Sequence, residues 1–294
     1  MDILKKNEKE IDKIIDHALK EDIGAGDITT EFVVPVHIDA IGDFAAKTEG
    51  IICGLPLIKK IFLKLDPKSK VTYKKKDGDR VKAGDILALV KGNARAILMG
   101  ERVALNFMQQ LSGIATLTHK FVERASHYGV EILDTRKTTP TLRILEKYAV
   151  VKGGGKNHRL GLYDMVLIKD NHLRLSTIEE AVKNVRRYLP RSIKIEIEVD
   201  NLQQLDAAIP QKPDIIMLDN FSLENIDKAM QKLKGKGIKV EISGGINLSN
   251  IGDFARKRPD FISIGAITHS NASMDISFHF YKKQAKPRGV KLDF

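Results

Sequence analysis

Between Asp134 and His172 the chain reads DTRKTTPTLRILEKYAVVKGGGKNHRLGLYDMVLIKDNH, and cations recur through it: Arg136, Lys137, Lys152, Lys156, His158, Arg159 and Lys169. A solvated surface run can be this basic. Here, however, Arg136-Lys137 and Lys169 sit at the ends of two expected strands, with a triple glycine, Gly153 to Gly155, between them. Cations gathered at strand ends would repel one another unless an anion joined them. An arginine fork suits bidentate carboxylate recognition, whereas a lysine offers a compact charge. A ligand with two carboxylates would satisfy Arg136, His158, Arg159 and Lys169 together, while Lys152 and Lys156 read as loop or surface charge.

Further along, Glu198 and Asp219 end two successive apolar runs. Beside so many cations they could form a salt-bridge network, or they could hold Mg²⁺, which takes one or two carboxylates and completes its shell with water and substrate phosphates. Ser243-Gly244-Gly245 and Ile264-Gly265-Ala266 follow the last two runs. Glycines there let backbone amides approach a phosphate, and a following helix N-terminus adds partial positive charge. Turns needing glycine for backbone reasons would look the same. His269, just beyond, could donate to that phosphate or cap a helix. No nucleophile stands out: Cys53 lies far from these runs, no Gly-x-Ser-x-Gly occurs, and the histidines lack metal-ligand spacing. The chemistry expected is positioning plus electrostatics.

The elements that must position these groups follow from periodicity. EILDTRK, MVLIKDN, KIEIEVD, DIIMLDN, KVEISGG and FISIGAI are short, continuous and β-branched, as buried parallel strands are. Helical spacing fills 177–190 (Ile178, Ala181, Val182, Val185, Tyr188, Leu189) and 222–234 (Leu223, Ile226, Ala229, Met230, Leu233). Repeated βα units imply right-handed parallel crossovers. Charge or glycine ends every one of the six strands, and a barrel brings such ends round one mouth, whereas an open sheet has a single switch point. The expectation is therefore a barrel.

Before it, residues 8–20 form an amphipathic helix. Strands are expected near 36–46, 50–53, 70–74 and 86–91, with a helix near 56–65, which together make a mixed α+β unit. KKKDGDRVKAGDILALVKG carries Gly-Asp turns like those of biotinyl carriers but lacks the flanked lysine such carriers modify, so two hairpin turns are the better reading. Residues 94–128 are helical, with Ser112-Gly113 expected to break them into two helices and to mark a domain boundary. The domains are thus 1–111 and 112–274, with 275–294 rejoining the first.

Lys and Arg total 49 against 38 Asp and Glu, a formal charge of +11, which raises the possibility of nucleic acid or an anionic membrane as partner. The charge is spread along the whole chain, aromatics make up 6%, and Trp is absent, which argues against a base-stacking surface. One cysteine precludes an intrachain disulfide and fits a reducing cytoplasm. The charged N-terminus is unlike a signal peptide, and no apolar run has the length to span a bilayer.

DTRKTTP, GGGKNHRLGLYDMVLIKDNH, EIEVDNL, IIMLDNF, EISGGIN and ISIGAITHS resemble the quinolinate phosphoribosyltransferases, as do EDIGAGDITT and GERVALNFMQQLSGIAT earlier in the chain. The similarity runs in order over nearly all of the sequence. It implies an incomplete α/β barrel with an N-terminal α+β sandwich domain, the type II phosphoribosyltransferase architecture. It also implies homodimers that share active sites, and that can assemble further, with Arg102 reaching across to the partner's quinolinate. Arg136, His158, Arg159 and Lys169 match the family's quinolinate pocket. Lys137, Glu198, Asp219, Ser243, Gly244, Gly245, Gly265 and His269 match positions around phosphoribosyl pyrophosphate, with Glu198 and Asp219 at Mg²⁺. Catalytic roles fall to Glu198, Asp219, Lys137 and Lys169. The implied activity makes nicotinate mononucleotide, CO₂ and pyrophosphate in NAD biosynthesis. A homologue acting on nicotinate without decarboxylation is the sister reading.

Overall fold

Strands form where β-branched and aromatic residues run together, and in the first part of the chain the two longest such runs bury consecutive residues, 40–46 and 87–90. The computed structural model describes residues 3–282. They divide into two compact units. The first holds residues up to Leu117, Pro140–Gly153 and the chain from Asn271; the second holds Thr118–Thr139 and Gly154–Ser270.

In the first unit, β1 (Asp39–Ala46), β3 (Lys70–Tyr73) and β5 (Ile86–Asn93) belong to an antiparallel sheet, while β2 (Gly50–Ile51) and β4 (Arg80–Val81) form a small separate pair. The helices Glu8–Ile23 and Leu55–Leu65 pack together and bury Ile11, Ile15, Ile58, Ile61 and Phe62. Asp77 caps the second of these from a distance, accepting the Gly54 and Leu55 backbone N–H groups at 3.0 Å each.

The second unit contains six parallel strands: β6 (Glu131–Leu133), β7 (Val166–Ile168), β8 (Ile195–Val199), β9 (Ile215–Asp219), β10 (Lys239–Ser243) and β11 (Phe261–Ser263). Their order is β6-β11-β10-β9-β8-β7, so β6 and β7 are the two end strands of an incomplete α/β barrel. The chain leaves the unit between these two strands, its Pro140–Gly153 segment lying in the first unit. On its return it runs beside β6, where Lys156 N donates to Ile132 O at 2.8 Å and Asp134 N donates to Lys156 O at 3.2 Å. Finally β12 (Ile276–Lys282) completes the first unit's sheet by pairing antiparallel with β1, giving the order β12-β1-β5-β3.

The strand periodicity sorts the barrel residues by chemistry. Ile195, Ile197 and Val199 on β8, with Ile216 and Leu218 on β9, are buried. Their neighbours of the other parity, Glu196 and Glu198, Met217 and Asp219, share the opposite face. On β10 the corresponding pair is Glu241 and Ser243.

Two sequence expectations differ from the structure. Residues 94–125 make one uninterrupted helix, with no break at Ser112-Gly113. Those two small residues serve packing instead. Ser112 Oγ accepts the Cys53 N–H at 3.0 Å, and a Cβ on Gly113 would stand 2.2 Å from the Ala272 carbonyl oxygen. The second difference concerns boundaries: residues 112–117, 140–153 and 271–274 belong to the first unit rather than to the barrel expected over 112–274. Of the segment 275–294, residues 283–294 lie outside the described residues.

Candidate active site

The C-terminal ends of the barrel strands surround a cavity of about 390 Å³ lined by Arg136, Lys137, His158, Arg159, Lys169, Glu198, Asp219 and Ser243, with Thr135, Leu167, Met217 and Ser263 completing the wall. A first-unit hollow of about 430 Å³, with Val103 and Phe107 in its wall, carries no such gathering of cations.

Each side chain reaches the mouth for a local reason. At the end of β6, buried Asp134 accepts Asn157 Nδ2 at 2.6 Å and the His158 backbone N–H at 2.9 Å, which pins the returning loop to the strand. Arg159 follows, with Nη1 donating to the Met165 carbonyl at 3.2 Å. Lys137 N donates to Thr135 Oγ1 at 3.0 Å, and the Lys137 carbonyl accepts Thr268 Oγ1 at 2.7 Å, so the backbone beneath this exposed lysine is fixed from both sides. Lys169, just past β7, is paired with Glu198 on β8. Asp219 accepts Asn220 Nδ2 at 2.7 Å, and Asn220 N donates to the Ser243 carbonyl at 3.0 Å. Gly244, at φ +92°, makes that approach of two strand ends feasible, because a Cβ there would lie 2.2 Å from Asn220 Oδ1.

The remaining expected residues stand nearby or elsewhere. Gly244 and Gly245 continue from Ser243 in the loop after β10. The Lys137 and His269 side chains come together over Gly265, each within 3.1 Å of where a Cβ would be. Arg102 does not line the cavity: it lies on the long helix of the first unit, exposed, 3.9 Å from Glu101. Lys152 and Lys156 are not among the lining residues either.

Beneath the mouth lies a polar floor that motif reading did not pick out. The Glu196 and Glu241 side chains are fully buried, and the His158 side chain nearly so. His158 Nε2 is 2.9 Å from Glu196 Oε2 and 3.7 Å from Glu241 Oε2. Burial raises both carboxyls, Glu196 to about 7 and Glu241 to about 8, and each is pushed further by a neighbouring glutamate. The available signal was a Glu in mid-strand in each of two apolar runs, the first Glu of IEIEV and the Glu of KVEIS. Above the floor, burial and the adjacent Arg136 push the Arg159 guanidinium below its usual value, while Glu196 and Glu198 oppose that shift. An Arg159 held beside Arg136 at the cost of its own charged form suits a multiply charged anion.

Comparison with known proteins agrees in order and extent. The quinolinate phosphoribosyl transferase N-terminal domain model matches residues 27–112, and the C-terminal domain model matches residues 114–279. The chain belongs to this family.

Among its relatives is a probable carboxylating nicotinate-nucleotide pyrophosphorylase of Bacillus subtilis, 43% identical over 272 residues, covering 92% of this chain and 93% of that one. A Nicotiana tabacum decarboxylating quinolinate phosphoribosyltransferase, named as mitochondrial, is 41% identical and covers 92% of this chain and 81% of its own. The solved structure of the nicotinate-nucleotide pyrophosphorylase from Francisella tularensis superposes with a TM-score of 0.89 at 41% identity, covering 93% of this chain and 96% of that one. Family membership thus accords with the barrel, the sandwich-type first unit and the cationic mouth. Among the described residues, no helix is long and apolar enough to cross a membrane.

Proposed function

We propose that this chain is a quinolinate phosphoribosyltransferase, joining quinolinate to phosphoribosyl pyrophosphate and releasing pyrophosphate and CO₂ to leave nicotinate mononucleotide. The observation that carries the reading is the sharing of one cavity by Arg136, Arg159 and Lys169 with Glu198, Asp219 and the Ser243 turn. The first group suits a dicarboxylate, the second a metal-bound diphosphate.

Arg136 and Arg159 hold the two quinolinate carboxylates and so fix the ring. Its nitrogen carries a lone pair already, so no general base is needed. That lone pair attacks the anomeric carbon as the bond to pyrophosphate breaks, through a transition state with positive charge on the ribose. Glu198 stabilises the developing cation, and Lys137 stabilises the departing diphosphate. The C2 carboxylate then leaves as CO₂, because the electron pair left on carbon sits beside the pyridinium nitrogen, and a proton from solvent replaces it. Lys169, whose pairing with Glu198 joins the two groups of residues, is assigned to the boundary between the dicarboxylate and ribose portions.

Oxygen ligands at the ends of adjacent strands fit Mg²⁺: Glu198 and Asp219 would hold it alongside the diphosphate, and it would supply further neutralisation of the leaving group. We take the protein to act as a homodimer in which exposed Arg102 enters the partner's cavity, and to work in a reducing compartment such as the cytoplasm, in keeping with its single, buried cysteine.

The test uses quinolinate labelled in its 2-carboxylate, phosphoribosyl pyrophosphate and Mg²⁺. Stoichiometric labelled CO₂ and nicotinate mononucleotide are expected. Turnover of nicotinate in place of quinolinate would point to a non-decarboxylating homologue, and omission of Mg²⁺ without loss of rate would remove the metal from the reading.

A further inference from the structure

His158 lies on the wall of the cationic cavity, yet both of its ring nitrogens are turned to the protein: Nδ1 accepts a hydrogen bond, and Nε2 is buried beside two carboxyl groups. Nδ1 accepts the Arg159 backbone N–H at 2.7 Å. A nitrogen that accepts carries no proton, so the ring proton is on Nε2. Nε2 is the atom that faces the buried pair Glu196 and Glu241, at 2.9 and 3.7 Å. The one ring N–H is thus buried on the glutamate side and not exposed to an anion in the cavity. The same bookkeeping argues against a metal, although His158, Glu196 and Glu241 place ligand atoms within 4.8 Å of one another, since coordination needs the Nε2 lone pair.

The surrounding bonds show what the ring does hold. Asp134 takes the His158 backbone N–H and the Asn157 amide, His158 Nδ1 takes the Arg159 N–H, and the Met165 carbonyl takes the Arg159 guanidinium. This is one continuous chain of contacts from the end of β6 to the head of Arg159. Its anchor on the far side is the glutamate floor on β8 and β10.

We propose that His158 is a positioning residue for Arg159 rather than a ligand of the dicarboxylate: fixed as the Nε2–H tautomer between the Arg159 N–H and the glutamate floor, it sets where the guanidinium stands. The proposal rests on the quinolinate reading of the cavity for its kinetic arm only.

Two measurements test it. In the whole enzyme with ¹⁵N-labelled histidines, and the His158 signals identified by their loss in His158→Asn, Nδ1 should be unprotonated and Nε2 protonated, unchanged when quinolinate alone saturates the protein. A ring that becomes doubly protonated, or changes tautomer, on addition of quinolinate overturns the proposal, as does an equivalent of metal bound at the floor. The kinetic arm compares His158→Asn, whose Oδ1 can replace the Nδ1 acceptor, with His158→Phe, which cannot. The quinolinate KM should stay within about twofold in Asn and rise about tenfold in Phe, the effect of one orienting hydrogen bond, with the phosphoribosyl pyrophosphate KM little changed in both. Equal rises in both variants would mean that Nε2 touches substrate. Should quinolinate neither bind nor react with the unaltered enzyme, the assigned function fails, while the tautomer in the free protein remains measurable and decides the His158 geometry.

Discussion

At the residue scale the mouth divides by charge. On the proposed division Arg136 and Arg159 bind the dicarboxylate, so Arg136→Ala and Arg159→Ala should each raise the quinolinate KM about ten- to a hundredfold, the range for losing a hydrogen bond to a charged group. The phosphoribosyl pyrophosphate KM should move far less, and steady-state kinetics with each substrate varied would expose equal effects if the division is wrong. Glu241 gives a second prediction, in stability. Its carboxyl is raised by burial and by Glu196 to about 8, against an ordinary value of 4.5, so the folded state binds the proton more tightly than the unfolded chain. For such an acid, folding is favoured below 4.5 and loses this contribution as pH rises towards 8. Glu241→Gln, always neutral, should therefore flatten the fall in melting temperature between pH 5 and 8 by about half or more; an unchanged slope in thermal melts would show that Glu241 is not the group responsible. The mouth cations were legible in the sequence because they cluster within one run. Asp134, Glu196 and Glu241 were not, since what defines them is burial at a register position, and a carboxylate in an apolar run says nothing of its partners.

At the scale of elements, strand identity was the most readable feature: continuous β-branched runs leave little alternative to parallel strands covered on their outer face. The long helix was misread at Ser112-Gly113 because small residues break helices in isolation but allow close packing in a folded core, and only the fold reveals the Ala272 carbonyl lying against Gly113. Gly113→Ala should accordingly destabilise the protein by about 2 kcal/mol through overpacking, although alanine is the better helix former. Denaturant melts that show stabilisation would refute this account. Asp77 is the complementary case. It accepts two backbone N–H groups at the start of the helix Leu55–Leu65 and the Tyr148 hydroxyl at 2.7 Å. Asp77→Ala should cost about 1–3 kcal/mol, since buried donors are left unmet. The measurement that checks it is the midpoint of urea unfolding.

At the scale of the whole molecule, the charge of +11 is borne mainly by surface lysines away from the mouth, so net charge alone pointed in more directions than the site does. The division of the chain was less legible than the strands. The barrel was recognisable from repeated βα units, but nothing in the composition of 140–153 signals that this helix belongs to the other unit. If Arg102 acts in the partner's cavity, mixing Arg102→Ala with Arg159→Ala protein should, at quinolinate far below the raised KM of either variant, restore about a quarter of wild-type activity, since random pairing makes half the dimers mixed and each has one whole site. Failure of mixed samples to recover activity after confirmed subunit exchange would confine each site to one chain.

The pairing of β12 with β1 also carries a consequence for biosynthesis. An early strand finds its hydrogen-bonding neighbour only after more than two hundred further residues have been made, including the entire barrel. On the ribosome, one edge of the first sheet therefore waits uncovered through most of translation, and an unpaired edge is a template for association with other chains. Stop codons placed just before Ile276 should send the nascent product into inclusion bodies or into the hands of chaperones, even though every residue of the mouth has by then been synthesised.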